Sequence, residues 1–190
     1  LGSIAREAIG FGNLISLTQN KKPIIGIINC PAHDERWVGA KNQHSTINLQ
    51  PAKTSNVTKI EDAYLFTSGL YFDEPHLRKS VDKITHKVRY FRYGGDCYMY
   101  GMVASGLIDI VIEDTLKVHD YMALVNVIEG AGGRITDKFG NEINGQQIIN
   151  GGLRGTSAEQ SELLEKHIAE KFDIKKVVFI YQGGFIHRDL

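Results

Sequence analysis

The chain has 190 residues, 42% of them apolar, which is enough for one sizeable hydrophobic core and one domain or slightly more. Twenty-two basic and 22 acidic residues cancel, so there is no charge footprint for nucleic acid or an anionic membrane surface. Its two cysteines, Cys30 and Cys97, have no zinc or CxxC spacing, and neither a bilayer-length apolar run nor a cationic-then-apolar leader is present, so the expectation is a cytoplasmic protein with buried, reduced thiols.

Residues 1–9 read as a helix that Ser3 could cap, with Ile4, Ala5, Ala8 and Ile9 on its apolar side. A β pattern opens directly at Gly10-Phe11-Gly12. Residues 14–19 and 23–29 flank the polar turn Asn20-Lys21-Lys22 and make a hairpin. Residues 35–40 are a third strand and 45–48 a short fourth, so this half is an antiparallel meander. Residues 49–62, polar and carrying Pro51, read as a loop. Then come a short strand at 63–68, a helix over 75–85 with Leu77, Val81 and Ile84 on one side, and an alternating strand at 87–92.

The chemistry concentrates in residues 92–133. Gly94-Gly95-Asp96 precede a helix with Asp96 as its N-cap, the glycines letting backbone approach a ligand. That helix runs to about Ser105 and stops at Gly106. Residues 107–113 alternate as a strand, with Ile108, Ile110 and Ile112 on one face and Leu107, Asp109, Val111 and Glu113 on the other. A second helix starts at His119-Asp120, carries Tyr121, Leu124, Val125 and Ile128 on its apolar side, and ends at Gly132-Gly133. Local pattern offers two readings of Asp120. It is an ordinary N-cap, or a carboxylate that holds a metal beside a phosphate where two helix N-termini meet. The pattern alone does not choose.

Further on, residues 134–137 read as a strand with a turn at 138–141, and 144–156 as a Gly- and Asn-rich loop through a short strand at 147–150. Residues 157–172 form a helix with a Ser157/Gln160 capping box and a stripe of Leu164, Ile168 and Phe172, and 176–181 a final buried strand. The ending His187-Arg188-Asp189-Leu190 matches the protein-kinase catalytic loop in letters only, because no glycine-rich loop, strand lysine or following asparagine accompanies it.

The run His119-Asp120-Tyr121-Met122-Ala123, closing on Glu129-Gly130-Ala131-Gly132-Gly133, resembles the signature of the inositol monophosphatase family, part of the Mg²⁺-dependent sugar-phosphatase superfamily. That signature is Trp-Asp, two small residues, then an apolar helix ending Glu-Ala-Gly-Gly. Arg92-Tyr93-Gly94-Gly95-Asp96-Cys97-Tyr98 and the Glu-Gly-Ala-Gly-Gly ending are similar to the histidinol-phosphate phosphatase branch. His119 and Met122 depart from the pattern and put the substrate, more than the chemistry, in doubt. The resemblance covers residues 11 to about 150. It implies an α+β fold, a layered αβαβα sandwich of the sugar-phosphatase type. One domain would hold an antiparallel first-sheet half (1–86) and a second, mixed α/β half (87–190).

In that family a metal-binding loop reading Asp-Pro-Ile-Asp-Gly-Thr comes just before the strand that begins at Phe11, and a Gly-Glu-Glu motif lies further upstream. Neither motif occurs in this sequence. Residues 1–9 resemble part of the family's first helix, which belongs much earlier, and a helix running straight into a core strand is poor geometry. The expectation is a segment missing between residues 9 and 10, with a genuinely shortened gene product as the alternative.

Hydrolysis of a phosphate monoester needs an activated water and neutralised phosphate charge, which Mg²⁺ held by several carboxylates supplies. The resemblance implies that Asp120 binds Mg²⁺, that Glu113 accepts hydrogen bonds from a substrate hydroxyl or amine, that Gly94, Gly95 and Asp96 contact substrate, and that Arg92 shapes the pocket. No catalytic residue is visible, since those would belong to the missing segment. Cys97 and Tyr98-Met99-Tyr100 read as core packing, His33 and His44 as surface, and Asp34, Glu35 and Asp114 as surface acids. The expected function is a Mg²⁺-dependent phosphatase acting on a small phosphorylated metabolite, histidinol phosphate or inositol monophosphate. The family commonly pairs as homodimers. The alternative is a non-catalytic member kept as a binding or regulatory protein.

Overall fold

The computed structural model describes residues 12–69, 75–114, 116–137, 140–143 and 177–181, with 75–77 and 177–181 described by their backbone alone. The helix expected over 1–9, its join to residue 10, the loop over 144–156, the helix over 157–172 and the last nine residues lie outside them.

The first sheet is the expected meander. Strands β1 (Asn13–Gln19), β2 (Lys22–Cys30), β3 (Glu35–Ala40), β4 (Thr46–Ile47) and β5 (Gln50–Pro51) follow one another in space as in sequence, all antiparallel. The β1–β2 hairpin closes through Asn20 and Lys21, both at positive φ (50° and 62°), the turn geometry whose twist suits paired strands. β5 and a 3₁₀ turn at Ile60–Asp62 fall inside the stretch expected to be plain loop. Pro51 is tolerated because β5 is the edge, where a missing N–H costs no ladder bond.

The second sheet contains β6 (Tyr64–Thr67), β7 (Tyr90–Tyr93), β8 (Ile110–Asp114), β9 (Arg134–Thr136) and β10 (Val177–Tyr181), in the order β7-β6-β8-β10-β9. Its strand pairings are parallel, with one antiparallel bridge, Thr136 to Glu142, at the β9 edge. β8 is buried on both faces. Val111 packs into the core between the sheets, while Ile110 and Ile112 join Leu65, Val81 and Ile84 on the other side. The strand begins three residues later than the alternation suggests. Leu107 and Gly106 close the preceding helix, and the Asp109 carboxylate is engaged by the Tyr64 N–H (2.9 Å) and the Ser55 hydroxyl.

Three helices complete the described fold. α1 (Pro75–Thr85) buries Val81 and Ile84 against the outer side of the second sheet. α2 (Asp96–Ala104) and α3 (Val118–Gly130) lie between the sheets. Both end in a Schellman motif with a left-handed glycine: Leu107 N–H bonds Met102 C=O past Gly106, and Gly133 N–H bonds Ile128 C=O past Gly132, each at 2.9 Å. α3 lies almost on the backbone of the first sheet. Gly26 and Gly39 are register partners there, and a β-carbon on either would collide with the Ala123 or Asn126 carbonyl of α3. Ser16, opposite Gly26, donates to the Met122 carbonyl (3.2 Å). The layers described are therefore sheet, helices, sheet, helix. The outward face of the first sheet carries Ile15 and Leu17, 56% and 53% exposed.

Chain order places the site. From β6 the chain passes through α1 to β7 on one side, then returns through α2 to β8 on the other. In an open parallel sheet the crevice at such a reversal, beyond the carboxyl ends of the strands, is where ligands sit.

Candidate active site

At that crevice a cavity of about 260 Å³ is lined by Ser68 beyond β6, Asp96, Cys97 and Tyr100 of α2, Glu113 at the end of β8, Leu116, and Asp120 of α3. Gly12 and Leu14, at the start of β1, close it from the first sheet. A larger cleft of about 670 Å³ adjoins it, sharing Gly12, Leu14 and Asp120 and reaching Arg36 and His119. Asp120 stands where the two meet.

Each acid is aimed by its element. Gly94, Gly95 and Asp96 run through three consecutive positive φ values (88°, 125° and 44°), a tight reversal that turns the chain from β7 into α2. For Asp96 this is a strained conformation of the kind that persists where surrounding structure enforces it. Glu113 is 4% exposed and accepts from the Ser68 N–H and from the Thr67 hydroxyl (3.2 Å) at one oxygen. Burial raises its pKa above the ordinary 4.5, these hydrogen bonds oppose the rise, and the Asp96 charge adds to it. Asp120 is part-exposed. Its Oδ2 accepts from the Lys117 N–H (2.7 Å), and its Oδ1 lies 3.6 Å from His119 Nε2.

Several expectations are corrected. Asp96 is not the N-cap of α2; Gly95 is, and Asp96 is the first helical residue. Asp120 is not the N-cap of α3 either. It is the third residue of the helix, and its carboxylate reaches back to the N–H of the N-cap, Lys117, in the manner of a capping-box acid. The reciprocal half of a capping box is missing, since a lysine side chain has no acceptor. The two readings of Asp120 are thus compatible, because the helix engages only one of its oxygens and the residue also lines the cavity. Arg92 does not line the cavity: it is exposed on the edge strand β7, with its guanidinium 6.0 Å from the centre of the Phe66 ring. The Gly94 N–H is already given to the Thr67 carbonyl (2.8 Å), and neither Gly94 nor Gly95 lines the cavity wall. Their contribution is the turn that delivers Asp96.

Tyr100 is in the core and Cys97 packs against it, as expected, and both also line the cavity. The missed signal was spacing: Asp96 and Tyr100 are four apart on α2 and share a face. The cysteines meet beside Gly12, where a β-carbon would run into both sulfurs. Cys97 is held below the usual thiol range by a hydrogen bond from Cys30, and the buried Cys30 is pushed well above it by the same pairing. Asp114 is buried rather than a surface acid, Glu35 has a buried carboxylate oxygen, and His33 stacks on Tyr98 with ring centres 4.2 Å apart.

Among the described residues no three His, Cys, Asp or Glu side chains are grouped to hold a metal ion. Mg²⁺ takes one or two carboxylates together with water and phosphate oxygens. Asp120, an oxygen donor with one oxygen not used by the helix, fits one such position; the described residues do not fill the rest.

Residues 10–175 match the inositol monophosphatase family. The bifunctional phosphatase IMPL2 of Arabidopsis thaliana, chloroplastic by name, is 42% identical over 130 residues, 68% of this chain and 38% of that one. A histidinol-phosphatase of Mycobacterium tuberculosis is 29% identical over 151 residues, 75% of this chain and 58% of that one. The chain therefore spans well under two thirds of the length of these relatives. Among solved structures, an inositol monophosphatase from Zymomonas mobilis is 39% identical with a TM-score of 0.69, covering 72% of this chain and 54% of that one. One from Anabaena has a TM-score of 0.66 at 24% identity, covering 89% and 68%, a likeness of fold alone.

Proposed function

The chain belongs to the inositol monophosphatase family, and from that premise we propose that it is part of a Mg²⁺-dependent phosphatase acting on histidinol phosphate, with inositol monophosphate as the second substrate. The observation that carries this is the convergence of Asp96, Glu113 and Asp120 on one cavity, at the N-termini of two helices and the carboxyl ends of parallel strands. Helix N-termini favour a bound phosphate. Asp120 would hold the metal, since the Lys117 N–H engages only one of its two oxygens. When bound, the ion neutralises phosphoryl charge and makes water a competent nucleophile at neutral pH.

Glu113 supports the choice of substrate. A buried carboxyl whose charge is disfavoured by desolvation gains more from an ammonium group than from a neutral hydroxyl. Histidinol carries an amine and inositol does not. Arg92 and Gly94 to Tyr98, the run similar to the histidinol-phosphatase branch, point the same way.

A segment missing between residues 9 and 10 is part of the proposal. The family match starts at residue 10, the metal-loop motifs are not in the sequence, and the outward face of the first sheet leaves Ile15 and Leu17 exposed where the αβαβα sandwich has a further helical layer. An intact mass of 21.2 kDa, that of the 190 residues, would overturn this. Homodimer formation and a cytoplasmic location belong to the same reading, and sedimentation and cell fractionation test them.

The decisive assay is phosphate release from histidinol phosphate and inositol 1-phosphate, with Mg²⁺ and with chelator. Faster release from the first, lost on chelation, is expected. Equal turnover removes the substrate preference. No release by protein of the encoded length removes the enzyme in favour of a binding or regulatory member.

A further inference from the structure

Tyr100 is 3% exposed, packs in the core between the sheets, and is one of the residues lining the same cavity as Asp96, Glu113 and Asp120. Its hydroxyl is buried and has no hydrogen-bond partner among the described residues. A buried hydroxyl without a partner costs free energy, so a phenylalanine would be the more stable choice if packing were the only role of the residue. Three carboxylates border the same space, yet none is within bonding reach of that oxygen.

We propose that the Tyr100 hydroxyl is a substrate-binding donor, giving its hydrogen bond to a phosphoryl oxygen of the phosphomonoester held in this cavity. The chemistry suits it. Burial, reinforced by the charges of Glu113, Asp120 and Asp96, pushes the phenol well above its ordinary range, so it stays protonated and can only donate to an anion. A neutral donor among acids binds a phosphoryl oxygen without adding to the negative charge already there. The placement is rigid, because Tyr100 lies one turn after Asp96 on α2, with Met99 and Val103 fully buried beside it.

This rests on the phosphatase reading, and the test separates the two. Binding of inorganic phosphate in the presence of Mg²⁺ is measured by calorimetry on the full chain and on Tyr100→Phe, with Tyr98→Phe as control. Tyr98 does not line the cavity. Loss of one hydrogen bond to a charged ligand predicts affinity weakened about 10- to 100-fold for Tyr100→Phe and unchanged for the control. The melting temperature of Tyr100→Phe should stay level or rise. Adding phosphate to wild-type protein should shift the Tyr100 ¹³Cζ resonance, a signal that needs no variant. Wild-type protein that binds no phosphate overturns the phosphatase reading and this one with it. Wild-type binding matched by Tyr100→Phe, or a still resonance, overturns this inference alone. A variant that melts lower or fails to fold, with the resonance unmoved, makes the hydroxyl a structural group and also overturns it.

Discussion

The first sheet buries one face against α3 and turns the other outward, with Ile15 and Leu17 more than half exposed, whereas β8 at the centre of the second sheet is buried on both faces. The first is a platform. Its Ser16–Gly26–Gly39 row is stripped of bulk so that α3 can lie against backbone, and among the described residues its side of the cavity is Leu14 of β1 with Gly12 just before that strand. The second carries the acids, because parallel strands end together and the helices that follow them begin there. Antiparallel pairing builds the wall, and parallel pairing gathers the chemistry.

The difference can be broken most drastically at the platform. Gly39→Val drives a branched side chain into the Asn126 carbonyl and the Val127 amide of α3, with backbone on both sides and no flexible tip to yield. We expect a loss of about 3 kcal/mol or more, read as failure to fold or a large shift of the urea midpoint. Normal stability would mean that α3 does not rest on this sheet as described. Asp120→Asn attacks the other side of the comparison. Loss of the proposed metal ligand should lower phosphate release by about a hundredfold or more while leaving the urea midpoint close to wild type. Retention of most of the rate would remove Asp120 from the site.

A pair of truncations compares the two faces of the first sheet. Ile28→Ala, fully buried, should cost about 2–5 kcal/mol in chemical denaturation. Ile15→Ala should cost less than about 0.5 kcal/mol if its face stays open. A cost near that of Ile28 would show the outward face to be covered, as the proposed missing segment requires.

The smallest effect concerns pH. Burial raises the Glu113 pKa above 4.5, so ionising it opposes folding. The stability it contributes is complete below pH 4.5 and is lost as pH rises through the raised folded value. Glu113→Gln removes that dependence, so wild-type stability should fall relative to the variant across this interval in paired urea melts. A difference that does not change with pH would mean that Glu113 is as well solvated folded as unfolded.

The legible parts of the molecule were those written in neighbouring residues. Alternation at 14–19, 23–29 and 35–40 specifies strands because a half-buried sheet repeats every two residues, and the Asn20-Lys21 reversal specifies their pairing. Gly106 and Gly132 mark the ends of α2 and α3 because a left-handed C′ position favours a residue without a β-carbon. The acids Asp96, Glu113 and Asp120 were picked out by motif, and all three reach one cavity. What sequence could not decide was direction and company. Which way Arg92 points, whether Cys30 meets Cys97, and whether Tyr100 borders a cavity all depend on strands and helices brought together from distant parts of the chain. Local pattern assigns a side chain to a face. Only the packing of one element against another determines whether that face is core, solvent or cavity.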